Sequence, residues 1–442
     1  MKTLLQFLKD NCKPATGCTE PISVAYATSL AYHSLFDSLP GNFKSVPEPS
    51  KENIEKISIK TDRNVFKNAL AIYVPGSNGM KGMAIASAMG IFAQPKNGLN
   101  LLSGFDRPND AKMILDSGKV VIENVEDRSE HAQLDVQVNL SYNVGEEIRN
   151  SSVRIIGHHD NISTIALDGR EVYHGKEFIS EESTQESFPE TLEAMVDLAD
   201  NADQSSLDEA YKGIEMNKRI AEEGLSHDYG LHQASALKHM MEDGSWGKDL
   251  VSKVRLYGAA AGEVRMGGAD MPVMSTCGSG NQGITALIPL VVLEEERKLS
   301  KDEISRAAIL SHLVTKYACN HSGYLSAICG CAIKAGFGAT AATTYALGGN
   351  LEQINNSINI LAANLTGMIC DGAKEGCSLK LSTAAGCAIE SSLYALNGMR
   401  VPEDNGIIYA KAEDTMKSVG RISKSMVPVD YEIVSIMGDP KK

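Results

Sequence analysis

The pattern of apolar residues changes near the middle of the chain, and this change limits the folds open to it. Before residue 177, several short segments alternate apolar and polar residues, which is the period of half-buried strands. Residues 177–190 are acidic and poor in apolar residues, and we interpret them as a linker. After residue 190 the period becomes that of helices. We therefore predict an α+β protein, with an N-terminal α/β domain over 1–180 and a mostly helical domain over 190–442.

The individual elements follow from the same periodicity. Strands are predicted over 54–62, 70–74, 118–123, 132–140, 151–156, 162–167 and 170–173. The N-terminal domain is also predicted to contain a short first helix that breaks at Pro14, a helix from about residue 22, and one over 80–92. Helices of the second domain are predicted over 190–200, 205–223, 229–241, 247–262, 280–296, 301–318, 322–335, 338–347, 351–365, 382–396 and 408–420.

Charge and hydropathy exclude several classes of protein. The net charge of −14 and the lack of a basic block argue against nucleic-acid binding. The longest apolar run, residues 284–293, is about half of a membrane span and contains Pro289, so we expect no membrane segment. The first residues carry no secretory pattern. We therefore expect a cytoplasmic protein.

Nine cysteines are present, and six of them lie between residues 277 and 377. A cytoplasmic chain is not expected to use them as a disulfide framework. Cys370 and Cys377 flank a glycine-containing segment that we interpret as a loop turning both thiolates toward one point. Cys329 and Cys331 are two positions apart and cannot share a helix face, so at most one is expected to join them. Three converging thiolates suit an iron–sulfur cluster with one open iron, whereas the alternative is a set of small buried residues.

Cys18 lies in a second short segment that can carry chemistry. It precedes a predicted helix, with Thr19 as a plausible N-cap and Pro21 in the first turn. A helix N-terminus favours a thiolate, which makes Cys18 a candidate reactive residue. The alternative is an inert cysteine buried in a turn.

Three loops could contact a substrate. The glycine turn over 75–79 contains Ser77 and Asn78, and the glycine-rich loop over 277–283 contains Ser279 and Asn281. Both could present backbone N–H groups to a carboxylate, although both could also serve only as a turn or as a site of close helix packing. The loop with His158 and His159 could supply a ligand or a base, or could simply be exposed.

Several of these segments together resemble the L-cysteine desulfidase family, a group similar to the alpha chain of serine dehydratases. The resemblance covers nearly the whole chain. The segments that carry it are Gly17-Cys18-Thr19-Glu20-Pro21, Pro75-Gly76, Arg265-Met266-Gly267-Gly268, Gly278-Ser279-Gly280-Asn281-Gln282-Gly283, and Gly367-Met368-Ile369-Cys370-Asp371-Gly372-Ala373 with Cys377.

The resemblance implies an oxygen-sensitive [4Fe-4S] enzyme, without pyridoxal phosphate, that converts L-cysteine to hydrogen sulfide, pyruvate and ammonia. It also implies a helical cluster-binding domain like that of the iron–sulfur L-serine dehydratases. The cluster ligands fall on Cys329, Cys370 and Cys377, and the N-terminal functional cysteine falls on Cys18. The roles of Cys277, Cys319 and Cys331 stay open. We expect a homodimer whose substrate-contacting residues are Ser77, Asn78, His159, Ser279, Asn281 and Lys380.

The expected reaction is an α,β-elimination. An open iron can bind the sulfur that leaves, and Cys18 is then either the base that takes the α-proton or a fourth ligand that the substrate displaces. L-Serine dehydratase is the nearest competing activity. The closer spacing of Cys370 and Cys377 and the presence of Cys18 both favour cysteine without excluding serine. A non-catalytic iron–sulfur sensor and a cysteine-ligated zinc protein are two further interpretations of the same residues.

Overall fold

The structure is a computed structural model that describes residues 3–123, 134–175 and 188–438. These parts of the chain contain eight strands: β1 (Pro14–Thr16), β2 (Ile54–Thr61), β3 (Val120–Ile122), β4 (Asp135–Val144), β5 (Glu147–Ile156), β6 (Ile162–Leu167), β7 (Arg170–His174) and β8 (Pro272–Met274). They also contain sixteen α-helices: α1 (Leu4–Asn11), α2 (Thr19–Ser34), α3 (Arg63–Ala69), α4 (Met83–Gly90), α5 (Pro108–Asp116), α6 (Leu192–Asp200), α7 (Gln204–Ser226), α8 (Gln233–Asp243), α9 (Leu250–Met266), α10 (Gly280–Arg297), α11 (Lys301–Ser322), α12 (Lys334–Ala346), α13 (Leu351–Leu365), α14 (Cys377–Leu396), α15 (Ala412–Ser425) and α16 (Val427–Met437).

The N-terminal half is built on a six-stranded sheet in the order β3-β2-β4-β5-β6-β7. β2 and β3 pair in parallel, and the other neighbouring strands are antiparallel. Alternate residues of β4, such as Val136 and Val138, are fully buried, because one face of the sheet packs against α2. Helix α2 is buried along nearly its whole length, since α4 packs against it as well. A Cβ on Gly90 would lie 2.2 Å from the carbonyl oxygen of Ala25, so glycine permits this close helix contact.

The second half is a helical assembly around α10. Residues 280–293 of this helix are all buried, which explains why its apolar residues continue around the helix instead of forming one stripe. Helices α7, α9, α11, α12 and α14 pack around it. Among the described helices, none combines the length and the apolar character required to cross a membrane.

The start of the chain connects the two halves. Helix α1 packs against the helical half, where Leu8 and Cys12 belong to its core. The chain then forms β1, which pairs antiparallel with β8 so that Ala15 faces Val273. From β1 the chain turns at Gly17 and enters α2, so the Cys18 segment lies where the two halves meet.

The structure confirms the α+β class and most predicted elements, and it corrects others. The strand predicted over 70–74 is wrong, because only Tyr73 forms an isolated bridge there, with Lys81. The helix predicted over 322–335 is also wrong, because residues 323–333 form an irregular segment and α12 begins only at Lys334. Helices α3, α5 and α16 were not predicted. Most of the predicted linker, 176–187, lies outside the described residues.

Candidate functional site

A large cavity of about 2090 Å³ lies between the two halves and gathers most of the predicted site residues. Its lining includes the Cys18 end of α2, the histidine loop between β5 and β6, the N-terminal end of α10, and the two cysteine-bearing segments. The predicted site residues that it brings together are Cys18, His159, Ser279, Asn281, Cys329, Cys370, Cys377 and Lys380.

The two cysteine-bearing segments lie side by side. Ile328 and Ile369 form an antiparallel bridge, in which the Cys329 N–H donates to the Met368 carbonyl at 2.9 Å and the Cys370 N–H donates to the Ala327 carbonyl at 2.7 Å. These backbone bonds fix Cys329 and Cys370 next to one another. Cys377 begins α14 after the glycine-containing turn. The segment that bears Cys329 and Cys331 is not helical, so the helix-face argument that separates these two cysteines does not apply.

A buried lysine from the sheet half holds these two segments together. Lys67 of α3 is fully buried, and its Nζ donates to the carbonyls of Ser326 at 3.1 Å and Cys370 at 3.2 Å. The same Nζ forms an ion pair of 2.6 Å with Asp430 of α16. A buried pair of this kind is costly to break from one side, because the remaining charge loses its partner. Helices α3 and α16 are thereby tied to both cysteine segments.

Four thiols share this corner of the cavity. Cys331 donates a hydrogen bond to Cys329, which lowers the pKa of Cys329 below its usual value although burial opposes the shift. The hydrogen bond to Cys329 and burial raise the pKa of Cys331, and the charges of the nearby Cys377 and Cys370 raise it further. Burial raises the pKa of Cys377 to about 11. These mutual effects place Cys331 in the same sulfur set as Cys329, Cys370 and Cys377.

Lys380 lies beside the thiols and is already neutralised. Its Nζ donates to the Ile369 carbonyl at 2.8 Å and pairs with the Asp371 carboxylate. Burial acts to raise the pKa of Asp371, yet Lys374 and Lys380 lower it to about 2. The segment between Cys370 and Cys377 therefore keeps an ionised carboxylate bound to two lysines.

Cys18, Glu20 and His159 form a second polar group on the opposite wall. The Cys18 thiol donates to Glu20 Oε2 at 2.8 Å, and His159 Nε2 lies 3.9 Å from Glu20 Oε1, an ion-pair distance. Burial acts to raise the pKa of Glu20, yet His159 and the Cys18 thiol lower it to about 2. The Ser23 hydroxyl of α2 donates to the His159 carbonyl at 2.8 Å and fixes the histidine loop. Among the described residues, His159 Nε2 has no hydrogen-bond partner.

The structure corrects two expectations about Cys18. Cys18 itself, not Thr19, is the N-cap of α2, and its side chain makes no capping bond. Burial raises the pKa of the Cys18 thiol well above its usual range, Glu20 adds to this effect, and Arg265 opposes it. Burial and Glu20 therefore act against the effect of the helix N-terminus on this thiol.

Cys18 nevertheless lies close to the sulfur set. It belongs to a small buried group with Ile72, Met266 and Ala373, against which Cys377 packs. This group joins residues from both halves of the chain. The Cys18 thiol is therefore positioned to act on a molecule held at the four other thiols.

The start of α10 supplies the polar wall between these groups. Ser279 caps the helix by accepting from the Gln282 N–H at 3.4 Å. Asn281 is buried, and its Oδ1 accepts from Arg265 Nη1 at 2.8 Å. Cys319 donates to Gln282 Oε1 at 3.3 Å, so this additional cysteine also contacts the first turn of α10.

Ser77 and Asn78 lie outside this arrangement. The Ser77 hydroxyl is turned inward, where it donates to the Met80 carbonyl at 2.9 Å, and Asn78 is exposed with a positive φ of 57°. Neither residue belongs to the cavity lining. The turn instead packs its Pro75 against Gly17, where an added Cβ would lie 2.6 Å from the proline ring.

The sulfur donors could hold an iron–sulfur cluster. In the described parts of the chain, no three or more His, Cys, Asp or Glu side chains are already arranged to hold one metal ion. A cluster is larger than one ion and is bound at separate irons by separate cysteines, so its ligands do not need single-ion spacing. The donor type and the shared cavity both fit such a group.

Sequence reasoning assigned no role to several residues of the site. Glu20 and Arg265 lie within recognised motifs, but their burial and mutual placement have no signal in one sequence. Lys67 and Asp430 are 363 positions apart, and a buried ion pair at that separation leaves no local pattern. The helix predicted over 322–335 separates Cys331 from Cys329, and the family resemblance assigns no role to Cys331.

Comparisons with known proteins identify the family. The sequence model of the family described as "Serine dehydratase alpha chain" matches residues 118–434. A UPF0597 protein of Desulfatibacillum aliphaticivorans is 35% identical over 448 residues, which cover 98% of each chain. A UPF0597 protein of Clostridium perfringens is also 35% identical, over 99% of this chain and 98% of its own. The chain therefore belongs to the serine dehydratase alpha chain family, whose name indicates a lyase.

Proposed function

We propose that this protein is an L-cysteine desulfidase, which converts L-cysteine and water to hydrogen sulfide, pyruvate and ammonia. The observation that carries the proposal is that Cys18, beside an ionised Glu20, shares a buried group with Cys377 of the sulfur set. Cys18, which could transfer a proton, and the soft sulfur donors of the sulfur set thus face one cavity. Removal of an α-proton together with a β-sulfur would use both.

Cys329, Cys370 and Cys377 would hold a [4Fe-4S] cluster, with Cys331 beside them. When bound, such a cluster supplies an open iron that acts as a Lewis acid toward the sulfur of the leaving group. Lys380 and Asp371 fix the segment that bears two of the three ligands. The buried Lys67–Asp430 pair holds the other side of this segment, where Lys67 Nζ donates to the Cys370 carbonyl.

The chain's own residues would perform the proton transfers. Cys18 would act in its thiolate form as the base that takes the α-proton of the substrate. Glu20 accepts the hydrogen bond of the thiol and so orients Sγ, while its low pKa of about 2 makes it too weak a base to hold the thiol proton itself. Ser279 and Asn281 contact the bound amino acid from the start of α10, and His159 Nε2 offers a further polar contact. The released aminoacrylate hydrolyses to pyruvate and ammonia without further catalysis.

Anaerobic reconstitution with iron and sulfide tests the proposal. The purified protein should acquire the absorbance of an iron–sulfur cluster and release sulfide from L-cysteine. Cys377→Ala should lose both the absorbance and the activity. Cys387→Ala is the matched control, because Cys387 is a second cysteine of α14 that contacts Asn364 outside the cavity lining.

The Cys18→Ala variant separates the two roles open to Cys18. We expect it to keep the cluster absorbance and to lose turnover by at least a hundredfold, as for loss of a general base. A colourless Cys18→Ala protein would instead make Cys18 a required ligand. A wild-type protein that binds the cluster but releases no sulfide would contradict the proposed activity.

L-Serine dehydratase is the second candidate, and the name of the matched family favours it. The same residues could act on a hydroxyl leaving group. Sulfide release from L-cysteine and pyruvate release from L-serine, measured at equal concentrations, distinguish the two. A higher kcat/KM for serine would assign the protein to that reaction.

A further inference from the structure

Arg265 is a buried cation that lines the cavity and lacks an acidic partner. It ends α9 and is 4% exposed. Its Nη1 donates to Asn281 Oδ1 at 2.8 Å, and its Nη2 donates to the Gly17 carbonyl at 2.6 Å. Its Nε has no hydrogen-bond partner among the described residues, and no carboxylate there forms an ion pair with it. A buried charge without a counter-ion is unfavourable, so this position favours an anion.

The surroundings of the guanidinium reinforce this preference. A Cβ on Gly280 would lie 2.4 Å from Arg265 Nε, so a glycine is required for the side chain to reach the start of α10. The N-terminus of this helix carries partial positive charge and favours anions in the same place. Gly17, which binds Nη2, directly precedes Cys18 in the chain. An anion held at Arg265 would therefore lie next to Cys18.

Other cations near the thiols already have partners. Lys380 pairs with Asp371, Lys67 pairs with Asp430, and the buried Lys334 Nζ donates to three protein oxygens. A guanidinium also matches a carboxylate better than an ammonium does, because its planar fork can donate two parallel hydrogen bonds. Two of the five N–H groups of Arg265 are used in the bonds to Asn281 and Gly17, which leaves donors for a ligand.

We propose that Arg265 binds the α-carboxylate of the substrate, so that the site accepts free amino acids and rejects those whose carboxyl group is amidated. The inference rests on the proposed function only in taking an amino acid as the ligand. A carboxylate held at Arg265 would place the α-carbon, which is one bond away, near Cys18. Cys18 could then reach the α-proton. Arg265 is a substrate-binding residue in this arrangement, with Asn281 holding its fork in place.

Binding of L-alanine tests this proposal, because L-alanine has no β-substituent to eliminate. Calorimetric titration of the anaerobically reconstituted protein should show binding of L-alanine and at least tenfold weaker binding of L-alaninamide. Arg265→Gln should weaken L-alanine binding by about 10- to 100-fold, as expected for loss of a charge-assisted hydrogen bond, and should abolish the preference for the free acid. A purely structural role would weaken both ligands equally and leave the preference intact.

Arg255→Gln is the matched control. Arg255 lies on the same helix and pairs with Glu390 at 3.5 Å, away from the cavity lining. This variant should bind both ligands as the wild type does. If Arg265→Gln does not fold, as judged by circular dichroism, Arg265→Lys replaces it. Arg265→Lys keeps the charge without the fork, so it should lose most of the preference for the free acid.

The outcomes separate this inference from the proposed function. Unchanged preference for L-alanine over L-alaninamide in the folded Arg265 variants overturns the inference, even if L-cysteine is turned over. Absence of L-alanine binding to the wild type overturns it as well. Loss of the preference in Arg265→Gln supports it, even if the wild type releases neither sulfide from cysteine nor pyruvate from serine.

Discussion

Burial shifts the pKa values of individual side chains in this protein more than their position on a helix does. Cys18 stands at the start of α2, where the helix dipole favours a thiolate, yet burial and Glu20 raise its pKa. The sequence motif identifies Cys18 as a candidate residue because its local surroundings are visible in the chain. It cannot reveal the protonation state, which depends on distant elements such as α9 and the histidine loop.

His312 gives a testable case of the same effect. It is fully buried on α11, its Nδ1 lies 2.9 Å from the Thr276 hydroxyl, and burial lowers its pKa to about 4. An unfolded histidine has a pKa of about 6.5, so between these values the unfolded state binds more protons. The free energy of unfolding should therefore fall as the pH decreases through 6.5 toward 4, by about 2 kcal/mol for this residue at pH 5.

We expect His312→Gln to make the pH dependence shallower. Urea unfolding at pH 7 and pH 5 measures this, and His239→Gln is the control because His239 is exposed on α8. The control should keep the wild-type slope. An equal loss of stability between pH 7 and pH 5 in His312→Gln and wild type would contradict the assignment.

Elements with a regular apolar period were predicted correctly, whereas irregular segments between them were not. The strands from β3 to β7 and most helices after residue 190 follow from their apolar spacing. The wrong helix over 322–335 has a physical reason: the buried Lys334 Nζ donates to the carbonyls of Gly323 and Tyr324, which holds residues before it in an irregular segment. Such a bond between a lysine and a distant backbone carbonyl cannot be deduced from periodicity.

The turn between Cys370 and Cys377 provides a prediction at this scale. Gly372 has a φ of 89°, and a Cβ there would lie 2.0 Å from the carbonyl oxygen of Lys67. Gly372→Ala should therefore push α3 away from the cysteine segments and lower the free energy of unfolding by about 2–4 kcal/mol.

Gly376→Ala is its control in the same turn. Gly376 has a φ of −61°, and its added Cβ would meet only Lys374 at 3.7 Å, an ordinary contact. Chemical denaturation should find this variant within about 0.5 kcal/mol of wild type. Similar stability for the two alanine variants would show that the approach of α3 to this turn is not tight.

The whole molecule forms its candidate site from both halves, and the connection between them is short. Helix α1 and strand β1 pack with the helical half before the chain enters the sheet half. Periodicity predicted both halves, but it contained no information on the pairing of β1 with β8, since each strand has three residues. The juxtaposition of Cys18 with Cys329, Cys370 and Cys377 is consequently expected only from family resemblance, which assigns no role to Cys331.

Ala15 tests how much the site depends on this connection. It faces Val273 in the β1–β8 ribbon, and Ala15→Pro removes its N–H donor. We expect Ala15→Pro to keep the iron–sulfur absorbance and the helical circular dichroism but to lose at least tenfold in kcat, because Cys18 lies three residues further on. Thr16→Val in the same strand keeps its backbone donor, suits a strand and lies outside the cavity lining, so its kcat should match wild type. Equal kcat values for the two variants would show that catalysis does not depend on the pairing of β1 with β8.

The ion pair between Lys67 and Asp430 has a consequence for biosynthesis. Its two members are 363 positions apart, and the lysine also binds the backbone carbonyls of Ser326 and Cys370 in the two cysteine segments. Until α16 has been synthesised, that lysine has no counter-charge and the two cysteine segments lack this connection to α16. The corner that contains the four thiols can therefore complete its packing only after residue 430 has left the ribosome.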